Sequence, residues 1–133
     1  MNDDQLIQAA AKAREKSYSP YSKFAVGAAI LTKSGKVFTG CNVENRSFRL
    51  TICAEQAAVA AAVSAGEKQF VKVAVVTGLA KPAMPCGACR QTLGEFGSHL
   101  DIITANTDGV REITTLAELL PHPFEGMEDS NGV

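Results

Sequence analysis

The chain has 133 residues, 46% of them apolar and 20% charged, which suits one globular domain with a single packed core. Its 13 Lys plus Arg against 14 Asp plus Glu give a formal charge of -1, which argues against a binder of polynucleotides or membrane surfaces. Aromatic residues make up 6% with no Trp, a poor basis for stacking single strands. No apolar run approaches the ~20 residues of a membrane span, and the charged, amphipathic MNDDQLIQAAAKAREK start does not resemble an export signal. A cytoplasmic protein is expected.

Without repeats or linkers, residues 1–133 read as one domain with a frayed tail from about 126. From Asp3 to Lys16, Leu6, Ala9, Ala10 and Ala13 recur at helical spacing, with Asp3 and Asp4 at the positive end. SPYSKF breaks that pattern. Val26–Thr32 and Lys36–Cys41 read as two strands of a hairpin joined at KSGK. The Ala-rich stretch Cys53–Ala65 predicts a helix stopped by Gly66. Val71–Thr77 predicts a strand buried on both sides, and Pro85 introduces a helix from about Cys86 to Phe96. Asp101–Ala105 and Val110–Thr114 are strands around an NTDGV turn, and Leu116–Leu120 is a last helical turn. This order predicts an α/β fold, a three-layer α/β/α sandwich around a mixed five-stranded sheet. Its later strand–helix–strand units should lie parallel, with right-handed crossovers.

Four cysteines, Cys41, Cys53, Cys86 and Cys89, in a reducing compartment favour metal binding or chemistry over disulfides. Cys53 opens one predicted helix in T-I-C-A-E, and Cys86 and Cys89 open the next in M-P-C-G-A-C-R. Helix starts favour thiolate over thiol, and Cys86 and Cys89 share one side of their first turn. If the two starts face each other, three sulfurs converge and leave a fourth tetrahedral position open, as in catalytic zinc sites. Glu55, two residues after Cys53, then stands where a carboxylate can move protons. Taken alone, the C-x-x-C pair also fits a redox pair, half a structural zinc site or two buried cysteines. A single Glu in a first helical turn is most often a partner for the helix dipole. The joint pattern of C-A-E and P-C-x-x-C, one strand apart, is that of zinc deaminases.

YSPYSKFAVGAA, GCNVEN at Gly40 to Asn45, LTICAE, PCGACRQ and the late LLP together carry a resemblance. Over nearly its whole length the chain resembles the small homotetrameric, zinc-dependent cytidine deaminases. The resemblance implies one Zn2+ per subunit held by Cys53, Cys86 and Cys89, with Glu55 as proton shuttle. It further implies that Asn42 and Glu44 bind ribose hydroxyls, that Phe24 packs on the pyrimidine, and that the Ala54 N–H meets the ring carbonyl. Phe124 matches the late aromatic that such enzymes lend to a neighbouring subunit. The implied activity is hydrolytic deamination of cytidine and 2′-deoxycytidine in pyrimidine salvage, with a small nucleoside as partner and neither nucleic acid nor membrane. A deaminase for a modified cytosine nucleoside or an aminopyrimidine antibiotic is the nearest alternative. A noncatalytic zinc module or dithiol redox protein is the alternative of another class.

The sequence departs from the family pattern in two places. Gln56 stands where Arg commonly follows C-A-E, and brings no positive charge to a three-thiolate site. Arg46-Ser47-Phe48-Arg49 replaces the usual small residues and Tyr, either for a subunit-interface or surface salt bridge or as a change of substrate range. Residues read as outside the site are Cys41, taken as a buried strand residue, and His99 and His122, taken as surface residues.

Overall fold

A computed structural model of the chain describes residues 1–126. Its elements are α1 (Asp3–Arg14), β1 (Gly27–Thr32), β2 (Val37–Cys41), a 3-10 turn at Phe48–Leu50, α2 (Ala54–Ser64), β3 (Phe70–Thr77), α3 (Gly87–Gly94), β4 (Asp101–Asn106), β5 (Arg111–Thr115) and α4 (Leu116–Leu119). Every expected element is present, with ends moved by a residue or two. The 3-10 turn was not expected from the sequence, and the remaining tail, 127–133, lies outside the described residues.

The five strands run β2-β1-β3-β4-β5, with β3 and β4 parallel and the other neighbours antiparallel. The parallel pair is the one joined through α3, as a strand–helix–strand crossover requires. The period-2 alternation of β3 builds both halves of the core. Val73 and Val75 join Ala58, Ala62, Leu93 and Ile102 on the face covered by α2 and α3. Ala74 and Val76 join Leu6, Ala10, Ile103 and Ala105 on the face covered by α1. The result is the three-layer sandwich, and no helix is long and apolar enough to cross a membrane.

Local chemistry sets the helix ends. Asn2 Oδ1 accepts from Gln5 N at 2.9 Å and Gln5 Oε1 from Asn2 N at 3.0 Å, a capping box that fixes the start of α1. The helix ends at Arg14 rather than Lys16. Lys16 N and Ser17 N donate to Ala13 O and Arg14 O, both at 3.0 Å, so the chain tightens into i to i−3 turns.

Gly40 brings the site-bearing helix against the sheet. A Cβ at Gly40 would stand 2.5 Å from Ala58 N and 2.6 Å from Ala54 O, both backbone atoms of α2. Gly40→Ala therefore has to push α2 off β2. It is expected to cost about 3 kcal/mol of stability, measured by denaturant unfolding.

Candidate metal centre and active site

Two helix starts meet over the end of β3. Cys53 is the N-cap of α2 and Cys86 the N-cap of α3, each with extended backbone, and Cys89 lies in the first turn of α3. Their three Sγ atoms lie within 4.8 Å of one another. A Zn–S bond of ~2.3 Å at tetrahedral angles sets sulfurs about 3.8 Å apart, which this trio accommodates.

The electrostatics of the trio call for a cation. Cys53 is held down at about 7, first by the hydrogen bond from Cys89, against burial and the Glu55 charge. The same hydrogen bond, then burial, pushes Cys89 up. Three sulfurs crowded this closely form a soft donor set of the kind a thiolate-binding divalent ion takes. The donor set fits zinc.

Glu55 is 5% exposed and lies in the same cavity. Burial raises its carboxyl above the ordinary value, with partial relief from its own backbone N–H and from Cys89. That cavity, of about 270 Å³, is also lined by Phe24, Asn42, Glu44 and Ala54. Ala54 is the first residue of α2, so its N–H has no acceptor within the helix.

Asn42 and Glu44 are buried and tied to the segment that the broken SPYSKF pattern marks. Asn42 Nδ2 donates to Phe24 O at 2.8 Å, while its Oδ1 accepts from Val26 N at 2.9 Å and from the Ser17 hydroxyl. These partners fix the amide orientation and leave one N–H free. Glu44 Oε1 accepts from Tyr21 N and Ser22 N at 3.0 and 3.1 Å, and Oε2 accepts from the Ser22 hydroxyl. The Ser22 hydroxyl, with those backbone N–H groups and the Lys23 charge, holds the Glu44 carboxyl below its ordinary 4.5 despite desolvation. These contacts are complete above that ordinary value and are lost as pH falls through the lowered one. Lys23, at φ +61°, is the one non-glycine residue with positive φ among the described residues, and it directly precedes Phe24 in the cavity wall. Phe24 is 37% exposed, so it belongs to the cavity rim rather than the core.

Phe124 is the one candidate that does not join this group. It is 72% exposed, absent from the cavity wall, and held through its backbone by Gln91. Arg46 and Arg49 also stand outside the cavity wall, on an exposed loop, and among the described residues neither forms an ion pair. Gln56 accepts the Cys53 N–H at 3.1 Å, closing the helix start rather than serving the sulfurs. Cys41 is half-buried, its thiol donating to Lys16 O at 3.5 Å, and His99 and His122 are exposed.

Sequence reasoning missed Ser17, Ser22, Thr51, Thr77, Ala83 and Met84, which brace or line the cavity. The cluster of Ser residues around Pro20 was the available signal for the first two, since such residues satisfy polar groups in turns.

Residues 1–104 match the model of the cytidine and deoxycytidylate deaminase zinc-binding region. The chain is 46% identical over 125 residues to a cytidine deaminase of Sporosarcina psychrophila, covering 93% of this chain and 92% of that one. It is 44% identical over 132 residues to one from Halalkalibacterium halodurans, covering 98% and 99%. A crystal structure of cytidine deaminase from Burkholderia pseudomallei superposes with a TM-score of 0.90 at 47% identity, covering 93% of this chain and 100% of that one. Motif, cavity and likeness agree: the chain belongs to the zinc-binding cytidine and deoxycytidylate deaminase family.

Proposed function

We propose that this chain hydrolytically deaminates free cytidine and 2′-deoxycytidine, giving uridine or 2′-deoxyuridine and ammonia, with one Zn2+ held by Cys53, Cys86 and Cys89. The observation that carries the reading is a buried carboxylate, Glu55, in one cavity with three clustered sulfurs. Zinc, when bound, supplies Lewis-acid activation of water near neutral pH.

The chain's own residues supply the rest. Glu55 takes a proton from the attacking water and delivers it to the ring nitrogen beside the amino-bearing carbon. It then carries a proton to the departing amine, so water enters and ammonia leaves in balance. Ala54 N–H holds the ring carbonyl, and Phe24 lies along the ring. The free N–H of Asn42 and the remaining lone pair of Glu44 Oε2 offer a donor and an acceptor, the pair a sugar hydroxyl needs. A cavity of about 270 Å³ suits a single nucleoside better than a strand.

Tyr18, Val43 and Ile52 are exposed and joined by bridges, with Tyr21 and Phe48 packed edge to face at 5.9 Å beside them. Exposed apolar residues of this kind are covered in a closed assembly of identical chains. We therefore assign a homotetramer in which Phe124 of one chain reaches the cavity of a neighbour. Thiols needed as metal ligands suit a reducing compartment, which supports a cytoplasmic location.

Purified zinc-replete protein given cytidine or 2′-deoxycytidine is expected to release ammonia and the uridine product in equal amounts, followed by ultraviolet absorbance and an ammonia assay. Turnover of neither nucleoside contradicts the assignment.

A further inference from the structure

Arg90 and Gln91 close the PCGACRQ run but hold no metal and line no part of the cavity. Both reach from α3 to the C-terminal segment. Arg90 Nε donates to Pro85 O at 2.8 Å and its Nη1 to Leu119 O at 2.9 Å, tying the approach to Cys86 to the end of α4. Gln91 Nε2 donates to Phe124 O at 2.8 Å, and Phe124 N donates back to Gln91 Oε1 at 3.0 Å. One side-chain amide therefore pairs both polar groups of a single backbone residue, as a neighbouring strand would.

Between these two ties the segment has little freedom. Leu120 packs against the core and lies so close to α3 that a Cβ at Gly94 would stand 3.0 Å from its Cδ2. Pro121 and Pro123 then fix φ on the way to Phe124. The segment ends on a ring that is 72% exposed. Burial of that ring in its own chain does not explain the arrangement. Holding an exposed aromatic in one place lowers the entropy lost when it is inserted elsewhere.

We propose that Gln91 is a positioning residue: by pairing with the backbone of Phe124 it sets that ring, ready-placed, for the nucleoside cavity of a neighbouring chain. Arg90 fixes the depth of the same segment against Pro85. The proposal rests on the reading above that Phe124 serves a partner's cavity.

The test compares Gln91→Ala, Gln91→Met, Phe124→Ala and the Gln91→Ala/Phe124→Ala double variant. It measures KM and kcat for cytidine, zinc per chain, and amide hydrogen exchange over residues 119–126. Gln91→Met keeps the side-chain length while losing both polar atoms, and separates hydrogen bonding from packing. Each single variant is expected to raise KM roughly three- to tenfold, the contribution of one aromatic contact. In each, kcat stays within about twofold and zinc content is unchanged. The double variant should be no worse than Phe124→Ala, because Gln91 acts only through that ring. Amide exchange at Phe124 should accelerate in the Gln91 variants.

A raised KM in Phe124→Ala with wild-type KM in both Gln91 variants overturns the proposal and leaves the role of Phe124 standing. Multiplying effects in the double variant, or zinc lost from Gln91→Ala and Gln91→Met, also overturn it. Wild-type KM in Phe124→Ala removes the role of Phe124 itself and the positioning role with it, whatever the exchange rates.

Discussion

Glu55→Gln is expected to lower kcat by roughly 10²–10⁴-fold, the usual worth of a positioned acid–base group, with zinc content unchanged and KM altered little. The amide keeps the shape of the carboxylate but cannot take up and release a proton at neutral pH. Glu55 is 5% exposed and stands in the cavity with the sulfur cluster, so bulk water has poor access to replace it. The same substitution separates the competing classes. A noncatalytic zinc module or a dithiol redox protein has no use for a proton carrier there and would tolerate it. Absorbance assays on cytidine with metal analysis of the same samples supply both readings.

Loss of any one sulfur should be as damaging for a different reason. Cys53→Ala, Cys86→Ala and Cys89→Ala are each expected to lose most of the zinc and to lose turnover with it. Two remaining thiolates cannot hold the ion in a site built from three. The loss should also appear as a lower Tm, since an ion bound only by the folded chain adds to its stability. Cys89, fully buried in α3, should show the largest fall in Tm, because its truncation also leaves a void. Cys41→Ala is the matched comparison. Cys41 is half-buried at the end of β2 and outside the cluster, so its variant should keep wild-type zinc and turnover.

Much of the fold was legible because its signals are local. The β-branched run Val71–Thr77 and the Ala-rich run before Gly66 each specify an element, and β3 and α2 formed where those signals lie. The clustering of the three sulfurs was legible for a related reason. Cys86 and Cys89 share one helical turn, and only the approach of Cys53 from α2 had to be supplied by the fold.

What was not legible depends on contacts between distant segments. The last turn of α1 ends early as the chain tightens towards Ser17, whose hydroxyl bonds Asn42, 25 positions along the chain. Nothing local in the sequence separates Phe24 from a core aromatic, yet it lines the cavity next to Lys23, whose backbone is left-handed. Gln56 lacks the charge of the usual Arg and has an amide that can donate to sulfur, whereas its carbonyl oxygen closes the helix start that carries Cys53. Arg90 carries a charge one residue past Cys89, yet its guanidinium is engaged with the carbonyls of Pro85 and Leu119.

The central claim is that Cys53, Cys86 and Cys89 together hold one zinc ion on which turnover depends. Its most direct measurement is zinc per chain, determined alongside cytidine turnover while a chelator strips the purified protein and zinc is then restored. One zinc per chain is expected at the start, with activity falling in proportion to the metal removed and recovering on restoration. Full turnover by protein free of zinc would contradict it.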